Sequence, residues 1–279
     1  MIVLAYDGSI NGDWVARYAM RLAQREPESG LALMHVRGAD VDPEVLDAKL
    51  RRLADACRRL EISLDIRLVK ARGGVAATLA SAAPRGPCVV LVCGARLRGG
   101  RRGYLSGTVS EALLKEPGFN VLAVRCVQPG LLGNPHELLW PIGARPEAVS
   151  SGIPFVRLFA SGIRRLHLLR VMTVGRFNYR HLQAERLDEL RRLGDDYLSR
   201  VEEDLSAQAE LDPGVVFSEV HVAYDREHEI ALCARRCKSQ LILIWAAQEY
   251  LSGRFFFGNP LEQLLRNAPC DVAVYRGTD

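Results

Sequence analysis

The sequence lacks the features of a membrane-spanning, secreted or disulfide-rich protein. No apolar run reaches the roughly 18–20 residues that cross a bilayer. The N-terminal apolar run leads straight into a turn, without the basic start and cleavage site of a signal peptide. The seven cysteines are odd in number and include no CxxC pair, which indicates reduced thiols rather than a disulfide framework. These absences predict a soluble, cytoplasmic protein without membrane insertion.

Several functional signatures are absent as well. The chain has no G-x-S-x-G nucleophile elbow and no Walker motif of the form G-x4-G-K-[ST], so we do not expect an enzyme that turns over nucleotide as its main activity. The net charge of +4 is mildly basic, and much of it comes from arginines within residues 96–102. This is not the extended basic stripe of a nucleic-acid-binding protein, so no nucleic-acid partner is predicted.

One segment of the chain occurs twice. Residues 107–125 read GTVSEALLKEPGFNVLAVR, and residues 258–276 read GNPLEQLLRNAPCDVAVYR. A match at a single offset indicates a duplicated unit. Each copy predicts a glycine before a helix start and then a short apolar strand, and an exposed helix start preceded by Gly is suited to binding an anion.

Strands and helices alternate along both halves of the chain. Short apolar runs predict five strands in each half, separated by segments with apolar residues at helical spacing. This order is typical of an α/β fold with a parallel sheet and helices on both faces. The second half has a longer helical stretch over residues 179–208. The predicted strands are residues 2–6, 31–36, 62–68, 88–93, 121–124, 138–142, 166–171, 215–223, 241–245 and 272–276.

Residues 127–137 form the predicted linker, because they hold Pro-Gly and Gly-Asn-Pro turn signals. We therefore expect two tandem domains, residues 1–127 and 137–279, each a doubly wound, Rossmann-like sheet of five parallel strands. Residues 62–68 alternate apolar with polar side chains, which predicts a half-exposed edge strand.

The AYDGS sequence at the end of the first strand and the glycines after the fourth strand resemble the universal stress protein family. The likeness covers the whole chain as a tandem pair with an adenine nucleotide alpha hydrolase-like fold. Nucleotide-binding members carry an Asp after strand one and a loop of the form G-x2-G-x9-G-[ST] after strand four. The resemblance implies that the first domain binds ATP or a related adenine nucleotide, with no metal beyond nucleotide-associated Mg²⁺. The implied binding residues are Tyr6, Asp7, Val36, Gly94, Arg96, Arg98, Gly107, Thr108, Val109 and Ser110.

The resemblance also assigns roles within this implied site. Asp7 and nearby backbone hold the nucleoside, Val36 at the end of strand two contacts the adenine, and the loop glycines let backbone amides surround the phosphates. Leu97 stands where the family has its second loop glycine, and its side chain obstructs close backbone approach to a phosphate. Four arginines partly offset this departure, since guanidinium groups bind phosphate bidentately: Arg96, Arg98, Arg101 and Arg102.

The second half departs further from the nucleotide motif. Gly143 replaces the Asp, while Trp245 and Gln248 stand at the first two loop glycines, so we expect no ATP binding there. The segment FFFGNPLEQLLRNAPCDVAVYRG resembles the stress-protein domains attached to membrane transporters.

Structural roles are alternatives for the predicted site residues. Thr108 would serve as an N-cap of the following helix, with Gly107 only permitting a turn. Asp7 or Ser9 would likewise cap the first helix.

A second group of polar residues could in principle bind a metal, but its positions are better explained by structural roles. It comprises His221, Glu227, His228 and Glu229, whose acidic members at a helix start are favoured by the helix dipole in any case. Cys233 and Cys237, one helical turn apart, are interpreted as packing residues. No metal site is therefore predicted.

Three functions follow from these observations, in decreasing order of support. The first is a stress-response module that binds adenine nucleotide in its first domain. The second is a ligand-free interaction protein with an unidentified protein partner, such as a transporter. The third is a slow nucleotide hydrolase, for which the sequence offers no base. The resemblance further implies that residues 121–125 and 272–276 pair within one chain as an internal dimer, and it leaves pairing into a homodimer open.

Overall fold

The computed structural model describes residues 1–26, 30–38, 42–95, 108–247, 251 and 259–277. Contacts divide the chain into two compact units, residues 1–134 with 274–279 and residues 135–273. The first repeat contains the strands β1 Ile2–Ala5, β2 Gly30–Arg37, β3 Ser63–Lys70, β4 Val90–Gly94 and β5 Asn120–Arg125. Its helices are α1 Ile10–Arg25, α2 Pro43–Arg59, α3 Val75–Ala82 and α4 Val109–Lys115.

The sheet of the first repeat has the strand order β3-β2-β1-β4-β5, and its neighbouring strands run parallel. The strand order reverses between β1 and β4, because β2 and β3 lie on one side of β1 whereas β4 and β5 lie on its other side. Helices cover both faces, so the central strands carry nearly continuous apolar residues and are buried. The predicted doubly wound α/β fold is confirmed.

The second repeat has the corresponding strand order β10-β9-β6-β7-β8. Its strands are β6 Glu137–Ile142, β7 Arg165–Thr173, β8 Val216–Ala223, β9 Leu241–Trp245 and β10 Asp271–Arg276. The helices are α5 Pro146–Ser150, α6 Ile153–Phe159, α7 Arg176–Arg180, α8 Ala184–Gln208, α9 Arg226–Arg236 and α10 Pro260–Asn267. Helix α8 packs on one side of β7 and β8, and α9 packs against the same two strands.

Two local predictions for the second repeat were incomplete. The helical stretch predicted over residues 179–208 is two helices, since His181 ends α7 and the extended Gln183 precedes α8. No Gly or Pro marks this break in the sequence. The short helix α5, which begins with a proline in its first turn, was not predicted.

The alternation in residues 62–68 was interpreted correctly. β3 lies at the end of the strand order, and Ile66 and Leu68 keep 38% and 37% of their surface exposed. The seven cysteines are reduced. Burial raises the pKa of Cys57 to about 11 and that of Cys93 to about 12, which keeps these two thiols protonated. Within the described ranges, no helix combines the length and apolarity needed to cross a membrane.

Candidate functional site

The turn between β1 and α1 places Asp7 at the carboxyl end of β1, where it is exposed. Ser9 caps α1, and its hydroxyl accepts a hydrogen bond from the Gly12 amide at 3.0 Å. The Ser9 amide and hydroxyl both donate to Asp7 Oδ1, at 2.9 and 2.6 Å. A Cβ at Gly12 would lie only 2.4 Å from the same oxygen. Asp7 therefore lies against the first turn of α1, and the predicted capping role of Ser9 is confirmed.

Tyr6 is buried next to helices α1 and α2. Its hydroxyl donates to Asp13 Oδ1, and Lys49 of α2 donates to Asp13 Oδ2 at 2.7 Å and to the carbonyl of Gly8 at 2.8 Å. Burial, with Asp13 adding to it, raises the pKa of the Tyr6 hydroxyl above its usual range. The Tyr6 side chain thus anchors the β1–α1 turn to α1 and α2, while the Tyr6 carbonyl accepts from His35 Nδ1 at 2.8 Å.

Replacing Tyr6 with phenylalanine should lower the free energy of unfolding by about 1.5–3 kcal/mol, since the hydroxyl bonds a charged, partly buried carboxylate. Urea-induced unfolding of the full chain measures this loss. The matched control is Tyr179→Phe, because Tyr179 is 41% exposed and should tolerate the change within about 0.5 kcal/mol. Equal stability of the two variants would contradict the anchoring role.

Gly94 ends β4 beside the same turn. A Cβ at this position would lie 2.7 Å from Nδ2 of Asn11, in the first turn of α1. The Asn11 amide thus covers Gly94, and a Cβ there would displace the Asn11 side chain. Asn11 was not among the predicted site residues, because its approach to Gly94 depends on how α1 crosses β4.

The remaining described members of the predicted site lie on β2 and at the start of α4. Val36 is half-buried near the end of β2 and pairs with Val69 of β3. Thr108 is the N-cap of α4, where its hydroxyl accepts from the Glu111 amide at 3.1 Å. Ser110 is buried and its hydroxyl lies 3.1 Å from that of Thr108, whereas Val109 is exposed. Thr108 thus has the N-cap position that its structural alternative predicts, and its role in nucleotide binding stays a prediction.

Arg96, Arg98 and Gly107, with Leu97 and Gln248, lie outside the described residues. At the corresponding end of the second repeat, Gly143 follows β6 and the half-buried Trp245 ends β9 in the position that Gly94 has on β4.

A groove between α1 and α2 runs beside the Tyr6 network. Two adjoining cavities of about 370 and 180 Å³ occupy it. Their lining combines an apolar floor with basic side chains and one acidic group. The basic members are Arg17, Arg21, Lys49, Arg52 and Arg59, and the acidic one is Asp13. The groove is suited to an acidic, partly apolar ligand, and none of the predicted nucleotide residues lines it.

Comparisons with known proteins agree with this architecture. The profile of the Universal stress protein family matches residues 1–125 and 159–276. No curated protein matches the chain. The structure is similar to that of a universal stress protein from Archaeoglobus fulgidus DSM 4304, with a TM-score of 0.64 at 15% identity, covering 100% of this chain and 97% of the other.

Two further structures share the fold. The cytoplasmic domain of a prokaryotic cation chloride cotransporter has a TM-score of 0.60 at 11% identity, with 99% of this chain and 94% of the other covered. A functionally unknown protein from Pseudomonas aeruginosa PAO1 has a TM-score of 0.57 at 12% identity, with 98% and 91% covered. Because the family profile matches both halves, the chain belongs to the universal stress protein family and contains its domain twice.

Proposed function

We propose that the first domain binds ATP or a related adenine nucleotide at the carboxyl ends of β1 and β4. The observation that supports this most is the position of Asp7, just after β1, and of Gly94, at the end of the adjacent strand β4, where the strand order reverses. In open α/β sheets, ligands bind in the crevice at this reversal. Exposed Asp7 lies at its rim, so a ligand reaches the carboxylate without rearrangement of the core.

The chemistry of the described residues fits a nucleoside better than a phosphate. Asp7 offers a carboxylate acceptor for ribose hydroxyls, and Asn11 offers an amide over Gly94. Phosphate binding is assigned to the arginine-containing segment 96–107, as the family resemblance implies. Bound nucleotide would stabilise the first domain by mass action, by about 2.7 kcal/mol at a ligand concentration of 100 times Kd.

Ligand release tests the proposal first. The chain is purified without added nucleotide and denatured by heat, and the supernatant is analysed by ion-exchange chromatography and mass spectrometry. Near-stoichiometric adenine nucleotide is expected. If the protein is empty, calorimetric titration and thermal shift with ATP, ADP and AMP follow, and the absence of binding at millimolar ligand contradicts the proposal.

A matched pair of variants tests whether Asp7 takes part in nucleotide binding. Asp7→Asn keeps the size of the side chain but removes its charge, and it should weaken nucleotide binding at least about 10-fold, or about 1.4 kcal/mol. The control is Asp65→Asn on β3, whose carboxylate is exposed and paired with Arg67 at 2.7 Å. An equal effect of both variants would show that Asp7 is not in the site.

The basic groove supports a second candidate function, a ligand-free protein that binds an acidic partner. The likeness to a cotransporter's cytoplasmic domain makes a transporter segment one such partner. A fluorescent polyglutamate peptide is the probe. Salt-sensitive binding that Arg17→Ala/Arg52→Ala abolishes, in a chain that binds no nucleotide, would favour this function over the first.

A further inference from the structure

A cluster of metal-binding side chains lies in the second domain, where α9 packs against β7 and β8. One ligand atom each from His167, Glu219 and Cys237 lies within 4.8 Å of the others. His167 is on β7, Glu219 on β8 and Cys237 at the C-terminal end of α9. The cluster is separate from the candidate nucleotide site, since its members belong to the second domain.

The strand register explains why these side chains meet. Leu169 of β7 pairs with Glu219 of β8, and His167 is two residues before Leu169. Alternate residues of a strand face the same side of a sheet, so His167 and Glu219 lie on one face. The end of α9 crosses this face and adds Cys237. Local sequence does not contain the register of β7 with β8, so it groups other polar residues, His221, Glu227, His228 and Glu229, and leaves Cys237 as a packing residue.

His167 independently indicates a missing partner. Its side chain is only 10% exposed, and neither ring nitrogen has a hydrogen-bond partner among the described residues. The ring stacks on Phe217 at 5.6 Å, and the nearest carboxylate oxygen, of Glu137, lies 3.9 Å from Nε2. A buried polar group without a partner costs about 1–3 kcal/mol.

Cys233 supplies a fourth donor. Its sulfur lies 3.8 Å from that of Cys237, one helical turn away. Two sulfurs bound to one tetrahedral zinc ion at about 2.3 Å each are about 3.8 Å apart, so the pair already has the required separation. In such a site the nitrogen and oxygen donors lie about 3.3–3.7 Å from the sulfurs. The ligand atoms of His167, Glu219 and Cys237, within 4.8 Å of one another, therefore move closer by about 1 Å on binding. Cys233 lies outside that group of three, so its sulfur moves toward the other donors as well.

The surrounding side chains hold Glu219 in place. Arg236 donates to Glu219 Oε2, and His221 Nε2 lies 3.0 Å from the same oxygen. His221 is fixed in turn by Glu229, 2.7 Å from Nδ1. The other oxygen, Oε1, lies 4.0 Å from the Cys237 sulfur. Such outer contacts orient metal ligands. Zinc with two thiolates and one carboxylate carries one net negative charge, which the adjacent Arg236 balances.

We propose that His167, Glu219, Cys233 and Cys237 bind one zinc ion. Two thiolates and an imidazole favour zinc over magnesium or calcium, which prefer oxygen ligands. With four protein ligands the site is closed and therefore structural, and the ion joins β7, β8 and α9. Metal binding then contributes to the folding free energy of the second domain.

The test uses the full chain, reduced and stripped of metal with a chelator. Titration with Co²⁺ should give, at one equivalent, the visible bands of a tetrahedral site and the near-ultraviolet band of thiolate coordination, and Zn²⁺ should abolish both. Competition with a chromophoric chelator then gives the zinc affinity. Cys237→Ser and His167→Gln should each lower that affinity at least about 100-fold.

Cys88→Ser is the matched control, since Cys88 is exposed and lies in the first domain. It should leave the cobalt spectrum and the zinc affinity unchanged. Cys237 is partly exposed at a helix end, so its serine variant should fold, and circular dichroism checks this. Three results would overturn the proposal: no thiolate band at one equivalent, bands that persist in Cys237→Ser, or a Cys233–Cys237 disulfide whose reduction restores no metal binding.

Discussion

Replacing Gly133 with alanine should lower the free energy of unfolding by about 3–5 kcal/mol. Gly133 has a φ of 72°, in the left-handed region that favours glycine. A Cβ there would lie 2.5 Å from the Tyr18 amide nitrogen and 2.6 Å from the Arg17 carbonyl carbon. These are backbone atoms inside α1, so no side-chain rotation relieves the contact. Strain and overlap therefore add, and urea-induced unfolding measures their sum.

Gly118 separates the two contributions. It has a φ of 79°, but a Cβ there meets no atom within 4 Å. Gly118→Ala should therefore show only the backbone strain, about 1–2 kcal/mol. Similar losses at both glycines would mean that the segment after β5 does not press on α1 in solution.

Replacing Gly194 with alanine should destabilise the chain by about 1.5–3 kcal/mol, although alanine is the better helix former by about 1 kcal/mol. Gly194 lies in the middle of α8, and a Cβ there would be 2.5 and 2.9 Å from the two methyl groups of Val220 on β8. The glycine therefore lets the helix approach the sheet closely. The measurement is urea-induced unfolding of the full chain.

A double-mutant cycle with Val220→Ala identifies the contact responsible. Removing the two methyl groups makes room for the new Cβ, so Gly194→Ala should be neutral or stabilising in the Val220→Ala background. We expect a coupling energy of at least about 1.5 kcal/mol. Strictly additive losses would place the cost of Gly194→Ala somewhere other than its contact with Val220.

Much of the fold could be predicted because its signals are local or repeated. The duplicated segment indicated two copies of one unit, and alternation in residues 62–68 identified β3 as an edge strand. The break before α8 escaped prediction because His181 and Gln183 carry no turn signature. Both residues are exposed, so hydrophobic periodicity carries no signal of the break either.

The sites were less predictable, since each joins residues distant in the sequence. The position of Asp7 after β1 follows from the first seven residues, but the approach of Asn11 to Gly94 requires the packing of α1 on β4. His167 lies in a strand that also holds Arg165 and Arg170, and nothing near it in sequence indicates Glu219 or Cys237. Only the strand register and the path of α9 bring these three together.

The outermost strand of the first repeat also limits how chains assemble. β3 carries Asp65, Arg67 and Lys70 among its exposed side chains. A second chain that extended the sheet at this edge would have to desolvate these charges, and natural proteins use such charged edge residues to discourage edge-to-edge association. The β3 edge is thus protected against strand addition, and any self-association of this domain is directed to other surfaces.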